Sequence, residues 1–149
     1  MKWKFFVVVL IFCLPVSLLV AQNPSDLVLD HAQSLIGVPY LYAGTSTAGL
    51  DCSGFVYRVY ADALGRQLPR STIPQSQFGI PVSRQNLQAG DLVFFNTVES
   101  RISHVGIYDG RGGVYHAASE GPQTGVIRSS LSERYYDTRY VSARRIIEQ

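Results

Sequence analysis

Cys52, in the stretch LDCSGFV (50–56), and His104 and His116, in ISHVGIYDGRGGVYHAAS (102–119), are the side chains whose types could do chemistry together. A thiol, an imidazole to take its proton and a second imidazole to orient the first make a nucleophile, a base and an orienter. The logic is that of a serine triad, with sulfur in place of oxygen and a neutral ring in place of the carboxylate. Such a set acts on acyl groups. The same three residues could instead ligate zinc, with water in the fourth position. Against that reading, the chain has no CxxC or HxxxH spacing, and a ligated thiol is no longer a nucleophile.

Either chemistry needs both rings on one face. Asp109 to Gly113 form a glycine-rich connection between two apolar runs, which predicts a hairpin. If Tyr108 pairs with Val114, Gly106 lies opposite His116 and His104 is one diagonal step away. If the turn tightens so that Tyr108 faces Gly112, His104 lies directly opposite His116, with Cβ atoms roughly 5 Å apart. Both registers keep the imidazoles on one face, and only a one-residue slip separates them.

The thiol is placed by a helix. Phe55-Val56, Val59-Tyr60 and Ala63-Leu64 recur at helical spacing, and Gly65 ends the run. Asp51 is the N-cap, so Cys52 falls in the first turn. The unpaired amides there favour an anion, which predicts a thiol pKa below the free value of about 8.5.

An earlier helix begins near Leu27, capped by Ser25 or Asp26 and stopped by Gly37, with His31 on its polar or boundary face as a weak catalytic candidate. Residues 37–51 and most of 66–90 read as loop, the latter with a short helical turn. Strands follow at Leu92–Phe95, SHVGIYD, VYHAAS, GVIRSS and RYVSARRII, with LSERYYD as a helical turn. Helices first and strands later indicate an α+β domain with a mainly antiparallel sheet.

Residues 1–21 have the pattern of a secretory signal, with Lys2 and Lys4 before an apolar run broken by Pro15. That run is short for a membrane span. Residues 22–149 are then one exported domain. Cys13 follows the bulky Phe12 deep in the run, so lipidation is not expected and Cys13 leaves with the signal. Lys2 and Lys4 are the only lysines, so the formal charge falls from +2 to zero, with eleven arginines facing eleven acidic residues. A neutral chain without a basic run argues against nucleic acid as partner. Cys52 is left as an odd cysteine in an exported chain, which suggests a reactive thiol or an intermolecular disulfide.

GVPYLYAG (37–44), LDCSGFV (50–56), LPRST (68–72), AGDLVFF (89–95), SHVGIY (103–108) and VYHAAS (114–119) occur in an order that resembles the NlpC-like cell-wall peptidases. These are papain-like cysteine hydrolases of bacterial peptidoglycan. The resemblance covers about Leu27 to Ile147, and the last segment is similar to the small single-domain members that open peptide cross-links. It implies a papain-like fold with N-terminal helices packed on the sheet and the nucleophile at a helix N-terminus. It makes Cys52 the nucleophile, His104 the base and His116 the orienter, and it places Tyr40 near the oxyanion. Asp51 and Ser53 match positions that hold a substrate's free amine in some relatives, although a capping role explains both equally well. Arg70 could pair with a substrate carboxylate or serve the structure.

The implied substrate is a peptidoglycan stem peptide, the implied site is the periplasm or cell envelope, and neither a cofactor nor a stable membrane anchor is implied. A monomer is expected. With no appended wall-binding module, targeting falls to the domain itself or to a partner protein. The chain departs from many relatives in lacking a lipid attachment site and in having Ala43-Gly44 where a glycine pair is common. An amidase or acyltransferase on a related cleft, or a wall-binding protein with a silent site, are the other readings.

Overall fold

The computed structural model describes residues 1, 22–98 and 100–147. Residues 2–21, which hold Cys13 and nearly all of the expected export signal, lie outside this range. Helix α1 runs from Pro24 to Ser34 and is capped by Asn23, whose side chain accepts from the Ser25 amide at 3.1 Å. The expected cap, Ser25 or Asp26, is therefore two or three residues too late. Pro24 takes the first helical position, where its fixed φ suits the helix and its missing N–H costs nothing. Val28 and Ala32 are buried in the core that α1 shares with the next helix.

That helix, α2 (Cys52–Leu64), follows the sequence pattern closely. Asp51 accepts the Gly54 amide at 2.6 Å, and Gly65 closes the helix in the left-handed region at φ 64°. Phe55, Val56, Val59 and Tyr60 are completely buried. Each large apolar side chain so buried contributes about 1.5–3 kcal/mol, so this stripe fixes the helix against the sheet. The loop before α2 holds two short strands, β1 (Thr45–Ser46) and β2 (Gly49–Leu50), paired antiparallel.

Between the helices and the main sheet lie α3 (Thr72–Ser76) and the strand β3 (Ile80–Val82). The sheet continues through β4 (Leu92–Phe95), β5 (His104–Tyr108), β6 (Gly113–Ala118) and β7 (Gly125–Ser130). After α4 (Arg134–Asp137), β8 (Tyr140–Arg145) completes it. The six strands lie in the order β3-β8-β4-β5-β6-β7, and every pairing is antiparallel. The architecture is the expected α+β one. The strand β3 was not expected: IPV is short, carries a proline and sits at the sheet edge, where a missing N–H is tolerated.

Alternation divides the sheet into two faces. Val105, Ile107, Tyr115, Ala117 and Val126 pack with the helices. Val93, Phe95, Val114, Leu131 and Ala143 form a second cluster, against which Tyr108, Tyr136 and Tyr140 pack. The β5–β6 hairpin takes the first of the two expected registers, with Tyr108 opposite Val114 and Ile107 opposite Tyr115. His104 alternates with Val105 and so stands on the second face, its ring centroid 6.1 Å from that of Phe95.

Candidate active site

Cys52 is the first residue of α2, half-buried, and the free cysteine among the described residues. Its sulfur lies 3.7 Å from Thr72 Oγ1 and 4.0 Å from the carbonyl oxygen of Ser103, the residue before His104. The Val105 backbone also acts on the sulfur, favouring its ionised form. The thiol therefore rests against the chain on both sides of His104. Thr72 opens α3, which is held by the fully buried Gln75. The Gln75 amide donates to the carbonyls of Ser53, at 3.0 Å, and Pro69, at 2.8 Å.

The sequence predicts a lowered thiol pKa, and the structure reverses the sign. Burial pushes the Cys52 thiol up, and the Asp51 carboxylate adds to it. The Thr72 hydroxyl and the backbone at Ser53 and Val105 pull it part of the way back. The helix terminus contributes, but desolvation of the charged form outweighs it.

His104 Nε2 lies 3.0 Å from His116 Nδ1, and the two rings meet edge-on at 86° with centroids 5.0 Å apart. His116 Nε2 in turn lies 2.9 Å from Ser129 Oγ on β7. His116 is 1 % exposed and Ser129 8 %. Burial lowers His104 to about 4 and His116 to about 3, the neighbouring His104 adding to the second shift. Both rings are thus neutral at pH 7. With Nε2 of His104 and both nitrogens of His116 partnered, His104 Nδ1 is the ring nitrogen of the pair without a hydrogen-bond partner among the described residues. That pairing also leaves the two rings poorly disposed to share a metal ion. A cavity of about 560 Å³ opens beside the pair, lined in part by Val98, Ser129 and Tyr136.

Tyr40 is half-buried and bridged to Leu50. Its phenol is pushed up by burial first and then by the neighbouring Cys52 and Asp51. It thus stands within electrostatic reach of the sulfur. Asp51, Ser53 and Arg70 come together as a closed set. Arg70 donates to both Asp51 oxygens at 3.0 and 2.9 Å, to Ser53 Oγ at 3.0 Å and to the Gly44 carbonyl at 3.2 Å. Gly54 is packed so closely that a Cβ there would meet the Gly44 carbonyl oxygen. Arg70 and Gly54 therefore tie the loop after Tyr40 to the mouth of α2. His31 stands apart, 3.1 Å from Asp62, joining the two long helices.

Asp51→Ala removes a cap worth about 0.5–2 kcal/mol and leaves the half-buried Arg70 without its carboxylate. The expected loss is roughly 1–3 kcal/mol, read as a lower urea midpoint at unchanged slope. An unchanged midpoint would mean that the network does not hold the helix terminus.

Spacing in the sequence did not single out Thr72, Ser129 or Tyr136. Thr72 lay inside the LPRST motif and was available as a hydroxyl. Ser129 and Tyr136 acquire a role only once β6–β7 register and the position of α4 are known.

The sequence profile of the NlpC/P60 family matches residues 37–145. The chain belongs to the NlpC/P60 family. Within it, the chain is 43% identical over 122 residues to a protein of Escherichia coli (strain K12) named murein DD-endopeptidase MepS/murein LD-carboxypeptidase. That match covers 82% of this chain and 63% of the relative, so the chain spans under two thirds of that protein's length. It is 42% identical over 120 residues to a gamma-DL-glutamyl hydrolase of Bacillus subtilis (strain 168), covering 79% of this chain and 28% of that one. Among solved structures, an NlpC/P60 family protein from Bacillus cereus ATCC 10987 superposes with a TM-score of 0.73 at 36% identity, covering 81% of this chain and 39% of that one. The papain-like NlpC/P60 fold expected from the motifs is the fold found.

Proposed function

We propose that this chain is a cysteine endopeptidase of the cell envelope that hydrolyses amide bonds in peptidoglycan stem peptides. The observation that carries the reading is the thiol at the mouth of α2 resting against both neighbours of His104, whose ring is bonded to His116. Cys52 is the nucleophile, His104 the base and His116 the orienter. In the resting enzyme both partners are neutral, so proton transfer from Sγ to His104 Nδ1 accompanies attack. For this the S–H turns from the Ser103 carbonyl to the imidazole. The sulfur adds to the amide carbonyl, and the oxyanion forms beside the Tyr40 hydroxyl and the Cys52 amide, donors of the kind that stabilise such charge. The His104 imidazolium then protonates the leaving amine, giving an acyl-enzyme. Water that gives its proton to His104 attacks the thioester, and the carboxylate product leaves with the thiol restored.

Asp51, Ser53 and Arg70 border the nucleophile on the helix side and are proposed to receive the substrate's amine and carboxylate there. Export by residues 1–21 and action as a monomer complete the reading. No described helix is long and apolar enough to cross a membrane.

The cross-link between D-alanine and diaminopimelate is the favoured bond, by similarity to the protein named a murein DD-endopeptidase. The bond between D-glutamate and diaminopimelate comes next, by similarity to the gamma-DL-glutamyl hydrolase. Purified mature protein is incubated with cross-linked and monomeric muropeptides, and the products are weighed. Cross-linked dimers should fall to monomers by gain of one water. Release of a fragment beginning at diaminopimelate would move the assignment to the second bond. No new product from either substrate would overturn the hydrolase reading.

A further inference from the structure

We propose that Ser129 is a positioning residue that fixes the tautomer of His116, and through it leaves His104 Nδ1 bare to act as the base. This rests on the reading of His104 as the base, and it adds a fourth member, carried by β7, to the thiol and two imidazoles.

A neutral imidazole carries a single N–H, on one nitrogen or the other. Both rings here are held neutral by burial. A base must present a lone pair to the thiol, so the proton of His104 belongs on Nε2. That N–H points at His116 Nδ1, 3.0 Å away, which must then accept. The proton of His116 is left on Nε2, 2.9 Å from Ser129 Oγ. In this arrangement the Ser129 hydroxyl, a group able to donate or accept, accepts, and the buried His116 Nε2–H is satisfied.

Without Ser129, His116 has no reason to keep its proton on Nε2, where a buried N–H would be unsatisfied at a cost of about 1–3 kcal/mol. The other tautomer becomes the cheaper one. His116 then donates from Nδ1 to His104 Nε2, the His104 proton moves to Nδ1, and the lone pair facing the thiol disappears. The serine itself is flanked. Its hydroxyl acts on the Tyr136 phenol, and the Tyr136 ring meets the His116 ring with centroids 5.2 Å apart at 65° and that of Phe95 at 5.4 Å. Helix α4 (Arg134–Asp137), which carries Tyr136, thereby braces the chain of bonds from behind.

The test uses the mature protein with ¹⁵N-labelled histidine, in wild type, Ser129→Ala, Ser129→Thr and Tyr136→Phe. Ring-nitrogen NMR shifts at pH 7 report the tautomers, and kcat and KM are measured on muropeptides. Wild type should show Nε2–H on both His104 and His116. Ser129→Ala should show Nδ1–H on His116. Its kcat should fall roughly 10-fold or more, part of the 10²- to 10⁴-fold that a general base supplies, with KM unchanged. Ser129→Thr should restore both readouts, and Tyr136→Phe should move them less, in the same direction. A side chain that served packing alone would leave the tautomers as they are. Retention of the Nε2–H tautomer in Ser129→Ala, or of wild-type kcat, would overturn the proposal. The ring signals are read without substrate, so this outcome is separate from failure of the hydrolase reading, which would leave wild type itself inactive.

Discussion

Cys52→Ala should abolish hydrolysis of muropeptides, a fall of roughly 10⁴-fold or more, as when the nucleophile of a covalent mechanism is deleted. No neighbour can replace the sulfur. The Thr72 hydroxyl that touches it has no imidazole partner among the described residues, and the Ser53 hydroxyl is engaged by Asp51 and Arg70. The fold should persist, because Asp51 rather than Cys52 caps α2, and the core stripe begins at Phe55. Thermal melting of the variant should stay within a few degrees of wild type. Substantial turnover by this variant would remove the mechanism outright. Loss of turnover accompanied by unfolding would shift the inquiry to a variant such as Cys52→Ser, which keeps the shape and removes the thiol.

His104→Ala is expected to cost 10²- to 10⁴-fold, the range of a positioned general base, and it comes with a pH signature. In wild type the acid limb of the kcat/KM profile should lie near 4, not near the free imidazole value of about 6.5, because burial holds the His104 ring neutral. Stability should follow the same groups. Unfolded, both histidines take up protons as the pH falls through about 6.5. Folded, they resist until about 4 and about 3. Across that window the unfolded chain binds more protons, so stability drops as the pH falls. Melting temperatures measured from pH 7 down to 4 should decline in wild type and decline less in His104→Ala. An acid limb at 6.5 with flat melting temperatures would mean that the rings are hydrated.

Much of the site could be read from local pattern. Asp51 before an i, i+3, i+4 stripe ending at Gly65 is enough to place Cys52 at a helix mouth, because capping and periodicity are short-range rules. The shared face of His104 and His116 follows from strand period and one turn. What escaped depends on distant segments meeting. The three-residue β3 has too little pattern to announce itself and exists because β8 pairs with it. Ser129 is one hydroxyl among several until β7 is aligned with β6. The bidentate Arg70–Asp51 pair spans nineteen positions of chain. The sign of the thiol shift was missed for a related reason. Helix-end electrostatics can be read from sequence, but the depth of the sulfur is set by α3 and β5 closing over it.

That depth bears on how the Cys52 thiol would survive in the proposed envelope location, where oxidants are plentiful. Peroxide and foreign disulfides attack the ionised form of a cysteine. Cys52 stores its proton at rest and turns one flank to Thr72 and Ser103, so it offers little of that form to small reagents. On the proposed mechanism its reactivity is released only when a bound peptide presents a carbonyl, and between turnovers the group is chemically quiet. If exported as proposed, a cysteine enzyme built this way would need no partner cysteine and no reducing system to remain usable.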